Sequence, residues 1–302
     1  MNIQACPIPK LEKLLLSTDG SEFSGGAVRE AISIAKKCSS RLISVSVVET
    51  NPEYETIAPQ LVEREIGKAK DHLAAIRERA SKEGVDCETI VRQGEDSYTY
   101  IVEEAAKKGA EMIIMGRRGR TGLKRLVMGS VTAKVIGHAP CDVLVVPKEA
   151  KVGLTRILLA TDGSRFSERA AAKAIGIAKR SGALLTAVSV VPSEAISPLD
   201  IVHSEMHRDI IVEKEQKAAK CYIDGVKEMA EKEGIDVVSS ILEGRPYEAI
   251  TNTAIEKKID LIVIGSHGKT GLEKFLMGSV AERVIVLSPC AVLVVKPKQE
   301  KG

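Results

Sequence analysis

Two short stretches of this chain combine residues that could hold a charged small molecule. GRRGRTGLKRLVMGS (116–130) sets Gly116, Gly119 and Gly129 at the spacing G-x2-G-x9-G and follows the last with Ser130. STDGS (17–21) sets Asp19 directly before a Gly-Ser pair. Glycine lets bare backbone approach a ligand. A helix opening at Gly129-Ser130, with Ser130 expected as its N-cap, offers unpaired N–H groups with the helix dipole behind them. That chemistry suits a di- or triphosphate. A carboxylate such as Asp19 can accept a hydrogen bond from a sugar or base, or can simply cap the helix that follows. Both stretches recur: GSHGKTGLEKFLMGS (265–279) carries Gly265, Gly268, Gly278 and Ser279, and ATDGS (160–164) carries Asp162. Identical spacing in two places favours a phosphate loop over the punctuation that glycines give any strand end.

The elements that must position these residues repeat with them. STDGSEFSGGAVREAISIAKK (17–37) returns as ATDGSRFSERAAAKAIGIAKR (160–180), and SKEGVDCETIVRQG (81–94) as EKEGIDVVSSILEG (231–244). The second copy carries seven extra residues after its VSVV segment, and the first carries one extra after Gly94. Insertions confined to connections indicate one domain present twice, 1–149 and 150–302, meeting near PKEAKVGL (147–154). The length of 302 residues suits two domains that each bury a core.

Within each copy β and α signals alternate. Apolar runs predict strands at 13–19, 42–48, 85–91, 112–115 and 143–146. Helical spacing predicts helices at 24–37, 61–83 (stopping at Gly84), 97–108 and 130–137. The second copy reads the same way from Arg156 to Val295. This is the α/β class: two doubly wound, five-stranded parallel sheets with helices on both faces. Such sheets bind ligands at the carboxyl ends of strands where the strand order reverses. Asp19 ends strand one and Gly116 ends strand four, so the two chemical stretches belong to one expected site.

Several other readings fail. Gly268-Lys269-Thr270 resembles the end of a Walker A loop, but that motif needs a glycine at 263, which is Val, and the other copy has Ile114 there. The first loop is basic, with Arg117, Arg118, Arg120, Lys124 and Arg125, against His267, Lys269, Lys274 and an opposing Glu273 in the second. Most of this is a solvated rim, with one or two side chains, Arg117 among them, expected to reach a phosphate. His203 and His207 are spaced as a helical pair without the glutamate a zinc protease motif needs, which reads as a solvated face. None of the six cysteines lies in a C-x2-C pair or at zinc-site spacing. Cys141 and Cys290 open apolar runs and read as small buried thiols.

A net charge of +3 is too small a footprint for duplex DNA, and 3% aromatic residues leave no stacking platform for single strands. No nucleic-acid partner is therefore expected. No apolar run reaches membrane-span length and the first residues lack a signal pattern, so the expected address is cytoplasmic.

These residues resemble the universal stress protein family, here in tandem. The resemblance rests on TDGS after strand one, the G-x2-G-x9-G-Ser loop and the closing PCDVLVV and PCAVLVV. It covers both halves, from Leu14 to Val146 and from Ile157 to Val295. It implies a Rossmann-like fold of the adenine nucleotide alpha hydrolase type and, for the ATP-binding members, phosphates on the loop. The strand-one aspartate would contact the nucleoside, and backbone near the end of strand two would hold the adenine.

Carried over, the first site is Asp19, Val47, Gly116, Gly119, Gly129 and Ser130, and the second is Asp162, Val190, Gly265, Gly268, Gly278 and Ser279. Arg117-Arg118 departs from the Ser-His usual in the family, and Pro192 closely follows the second adenine position. The implied ligand is ATP or AMP, with Mg2+ or Mn2+ only through the phosphates. Family members dimerise through the last strand, which implies a pseudo-dimer within the chain and leaves a further homodimer open. No catalytic or metal-ligating set is identifiable. The leading expectation is an adenine-nucleotide-binding regulator in the stress response. A slow ATP hydrolase or self-phosphorylating enzyme using Ser130 or Ser279, or a nucleotide-independent scaffold, are the alternatives.

Overall fold

The structure, a computed structural model, describes residues 6–9, 11–119, 127–192, 205–269 and 277–297, with the backbone alone for 205–209. It divides into two compact units, one up to Val152 and one from Gly153 to Pro297.

In the first unit the elements are β1 (Lys13–Ser17), α1 (Gly25–Cys38), β2 (Arg41–Glu49), α2 (Pro52–Ile57), α3 (Pro59–Lys82), β3 (Cys87–Gly94), α4 (Ser97–Lys108), β4 (Met112–Gly116), α5 (Ser130–His138) and β5 (Asp142–Val146). The sheet order is β3-β2-β1-β4-β5, and every pair is parallel. The second unit runs β6 (Arg156–Ala160), α6 (Arg165–Ser181), β7 (Leu184–Pro192), α7 (Glu205–Lys232), β8 (Val237–Gly244), α8 (Pro246–Glu256), β9 (Leu261–Gly265), α9 (Ser279–Leu287) and β10 (Ala291–Val295). Its order, β8-β7-β6-β9-β10, is again all parallel. Two doubly wound five-stranded sheets are the fold expected from the sequence.

The central strands read as unbroken aliphatic runs because helices cover both faces. Leu14, Leu15 and Leu16 of β1 are fully buried, as are Met112, Ile113 and Ile114 of β4; Ile157, Leu158 and Leu159 of β6 repeat the pattern. β1 and β4 pair directly, with Leu16 opposite Ile114 and Ser17 opposite Met115. The strand order reverses at this pair, so the chain leaving β1 and the chain leaving β4 emerge side by side, as β6 and β9 do in the second unit.

Two features of the first unit go beyond the sequence reading. Asn51 accepts from the Tyr54 N–H at 2.6 Å and caps the short helix α2, whose first residue is Pro52. An Asn cap followed by Pro at the first helical position was the available signal. Cys6 and Cys38 form a disulfide across 32 residues, joining the N-terminal segment to the end of α1. Cys290 is buried, as expected, whereas Cys141 is half-buried because it precedes β5. Burial pushes the Cys290 and Cys87 thiols above their ordinary pKa.

His203 lies outside the described residues, as does the side chain of His207. The loop positions 120–126 and 270–276 lie outside them too, and with them Arg120, Lys124, Arg125, Glu273 and Lys274. Among the described residues, no helix is long and apolar enough to cross a membrane. No group of three or more His, Cys, Asp or Glu could hold a metal ion among them either.

Candidate functional site

At the carboxyl end of β1 the chain turns through Thr18-Asp19-Gly20-Ser21. The Asp19 carboxylate closes this turn: its Oδ1 accepts from the Ser21 N–H at 3.0 Å and from the Ser21 hydroxyl at 2.7 Å. Asp162 repeats the arrangement, with Oδ1 accepting from the Ser164 N–H at 3.0 Å. The second carboxylate oxygen reaches across to the glycine loop. Asp162 Oδ2 accepts from the Lys269 N–H at 2.9 Å. A Cβ placed on Gly268 would stand 2.8 Å from that oxygen, and one on Gly119 would stand 2.8 Å from Asp19 Oδ2. The aspartate therefore does two things in each unit. It shapes its own turn, and it presses against a loop position where a side chain would intrude on it.

The loop is built on backbone contacts. A Cβ on Gly116 would meet the Phe23 carbonyl oxygen at 3.0 Å, and one on Gly265 the Phe166 carbonyl carbon at 2.8 Å. The first glycine thus lets the end of β4 or β9 lie against the start of the helical segment that follows β1 or β6. The Gly129 N–H donates to the Arg117 carbonyl at 3.0 Å and the Gly278 N–H to the Ser266 carbonyl at 2.9 Å, pinning the far end of the loop to its start. Thr132 Oγ1 donates to the Gly116 carbonyl at 3.1 Å.

The helix caps differ from expectation. Gly129, not Ser130, is the N-cap of α5, because its carbonyl accepts from the Ala133 N–H at 3.0 Å; Gly278 caps α9 through Glu282 in the same way. No side chain caps either helix. Ser130 and Ser279 are instead the first helical residues, and both line a cavity.

Each unit has a cavity at this end of its sheet, of about 400 Å³ in the first and about 430 Å³ in the second. These volumes lie in the range of small-molecule sites. The first gathers Asp19, Val47, Gly116, Gly119, Gly129 and Ser130. The second gathers Asp162, Val190, Gly265, Gly268, Gly278 and Ser279. All twelve residues converge as the sequence placed them.

Arg117 does not: Arg118 lines the first cavity in its place. Arg117 is half-buried like Arg118, and burial, with the Arg118 guanidinium nearby, holds its pKa below the usual arginine range. Arg118 Nε donates to the Val127 carbonyl at 3.2 Å, across the loop.

Several lining residues carried no motif. Glu65 on α3 and Glu215 on α7 occupy matching positions and line the two cavities. Their only sequence signal is recurrence on the same helical face. His72 and Tyr222 also match. His72 Nε2 lies 3.0 Å from Thr18 Oγ1. Tyr222 sits over Gly163, with the Lys269 ammonium 4.4 Å from its ring centroid and 3.9 Å from Glu215 Oε2. In the second loop His267 Nδ1 pairs with the Ser266 hydroxyl at 3.1 Å, and its ring packs on Phe166 at 5.1 Å.

Comparison with known proteins agrees with the fold. The pattern of the universal stress protein family matches twice, over residues 10–147 and 153–296. A universal stress protein of Methanocaldococcus jannaschii is 44% identical over 146 residues, which are 48% of this chain and 84% of that protein. A putative universal stress protein of Staphylococcus aureus is 37% identical over 145 residues, 47% of this chain and 84% of its own length. The crystal structure of a universal stress protein from Archaeoglobus fulgidus superposes with a TM-score of 0.73 at 22% identity, covering 96% of this chain and all of that one. That likeness concerns the fold. With the family pattern spanning both halves, the chain belongs to the universal stress protein family and carries its domain twice.

Proposed function

We propose that each unit binds an adenine nucleotide and that occupancy of the two sites is the regulatory signal this protein gives. The observation that carries the reading is the duplicated convergence of loop backbone, uncapped helix start and strand-one aspartate on one cavity per unit. The phosphates take the N–H groups at the start of α5 or α9 and the hydroxyl of Ser130 or Ser279, where the helix dipole favours negative charge. Arg118 or His267 lies at the same end. The base takes the opposite wall, where Val47 and Ile101, or Val190 and Ile250, offer apolar surface. Asp19 and Asp162 stand between the two ends, beside the nucleoside. Mg2+ or Mn2+ rides on the phosphates and offsets their charge.

Calorimetric titration of the full chain with ATP, ADP and AMP, with and without Mg2+, tests this. Two nucleotides per chain are expected. Absence of heat and of any thermal shift with all three overturns it. Mass spectrometry of small molecules released from freshly purified, denatured protein gives an independent check.

A further inference from the structure

The two cavities differ most sharply at the wall away from the glycine loop, and they differ there in concert. In the first unit β2 ends at Glu49 and α4 begins at Ser97, and both residues line the cavity. The Ser97 hydroxyl donates to Glu49 Oε1 at 2.9 Å. Ser97 is 8% exposed, so the pair is anchored from the inside although Glu49 itself reaches the rim. In the second unit β7 ends at Pro192 and α8 begins at Pro246, and these two prolines line the matching wall. A hydrogen-bonded carboxylate and hydroxyl in one site face two side chains without a polar atom in the other.

We propose that Glu49, oriented by Ser97, is a specificity-determining residue that reads the exocyclic amino group of adenine in the first site, whereas the second site holds the base without reading that edge. The inference rests on the nucleotide reading above. Glu49 lies two residues beyond Val47 and therefore on the same face of β2. A carboxylate repels phosphate, so its wall belongs to the base. An ionised carboxylate only accepts hydrogen bonds, so it selects a base edge that donates. Ser97 takes up one lone pair of Oε1 and fixes the orientation of the carboxylate, whose remaining lone pairs accept an exocyclic amino group such as adenine presents.

The comparison ligand is purine riboside 5′-triphosphate, which carries hydrogen where ATP carries the amino group. Each site is read alone, in full-length Gly268→Val protein for the first and Gly119→Val protein for the second. One hydrogen bond to a charged, partly solvated group corresponds to about a tenfold preference. In the Gly268→Val chain ATP is expected to bind about tenfold more tightly than the analogue, and adding Glu49→Ala brings the ratio near one. In the Gly119→Val chain the ratio is near one, and Pro192→Glu with Pro246→Ser raises it. Because each result is a ratio within one protein, a partly unfolded variant does not distort it. An unchanged ratio on Glu49→Ala, or a first site that prefers GTP to ATP, overturns the proposal while leaving nucleotide binding intact. Binding of neither ligand to either chain overturns the nucleotide reading as well.

Discussion

The two cavities of this chain share their backbone chemistry and diverge in their side chains. Both keep the three loop glycines, the helix start and the strand-one aspartate in the same relation, and at the first two glycines the space itself forbids change. A side chain on Gly119 or Gly268 would run into the aspartate oxygen, and one on Gly116 or Gly265 into the backbone of the neighbouring segment. Where the cavity wall is made of side-chain tips, the halves part. Arg118 stands where the second cavity has His267, and Glu49 and Ser97 stand where it has Pro192 and Pro246; Tyr222 lines the second cavity at the position of His72, which pairs with Thr18. Anything that recognises phosphate through peptide N–H groups is thus common to both sites. Anything that distinguishes base, charge state or affinity is specific to one.

The largest effects should come from the shared part. Gly119→Val forces the new side chain against Asp19, and Gly268→Val does the same to Asp162 and to its bond with the Lys269 N–H. Each substitution is expected to weaken nucleotide binding in its own half by at least about a hundredfold, roughly 2.7 kcal/mol, and to leave the other half unaffected. The titration stoichiometry then falls from two to one in either variant. A variant that still binds two equivalents would mean that the loop glycines do not define the sites.

A smaller effect separates the halves at a turn they share. Gly20 and Gly163 both adopt left-handed backbone, with φ of +75° and +74°, so alanine is strained at either by about 1–2 kcal/mol. Their surroundings differ. A Cβ on Gly20 meets nothing closer than the His72 ring at 3.5 Å, while one on Gly163 would overlap the Tyr222 ring at 2.1 Å. Tyr222 cannot easily give way, since Lys269 lies over it. Gly163→Ala should therefore destabilise its unit by about 1–3 kcal/mol more than Gly20→Ala destabilises the first, the added cost of overpacking. Two units need not unfold together, so hydrogen exchange in α1 and α6 is the appropriate measurement. Tyr222→Ala in the same chain should recover the excess. Equal losses in the two units would show that the aromatic contact yields freely.

How much of this was legible in the sequence follows the same division. Apolar runs and glycine spacing dictate backbone, and they indicated the strands, the order of elements and twelve residues that the fold gathers around the two cavities. Arg118 and not Arg117 is among the residues lining the first cavity, because residue type indicates charge but not which of two adjacent arginines borders a cavity. Ser130 read as a cap by type, but the cap is set by whose carbonyl accepts from the first turn, and that is Gly129. Glu65, Ser97 and Tyr222 reach their cavities through tertiary packing alone. The Cys6–Cys38 bridge spans a separation that carries no motif. Side chains that meet only after folding leave no local signal.

The smallest expected effect tests where the halves should behave alike. Lys36 pairs with Glu83 at 2.7 Å and Lys179 with Glu233 at 2.8 Å, each tie running from the first helix of its unit to the residue after the long helix, α3 or α7. Both carboxyls are held below the ordinary glutamate pKa, first by the hydrogen bond from the lysine and then by its charge. A lowered folded-state pKa means that the unfolded chain takes up the proton first. The stabilisation is therefore complete above the ordinary glutamate value of about 4.3 and disappears as the pH falls through the lowered value. Both pairs are fully solvated, so the effect is small and salt screens it further. Glu83→Gln and Glu233→Gln should each reduce the stability of their own unit slightly at pH 7, by matching amounts, and the reduction should shrink at pH 3 as the carboxyls take up protons. Local hydrogen exchange at the two pH values would reveal it. A clear effect in one unit alone would mean that the divergence between the halves extends beyond their cavity walls, into the ties between their helices.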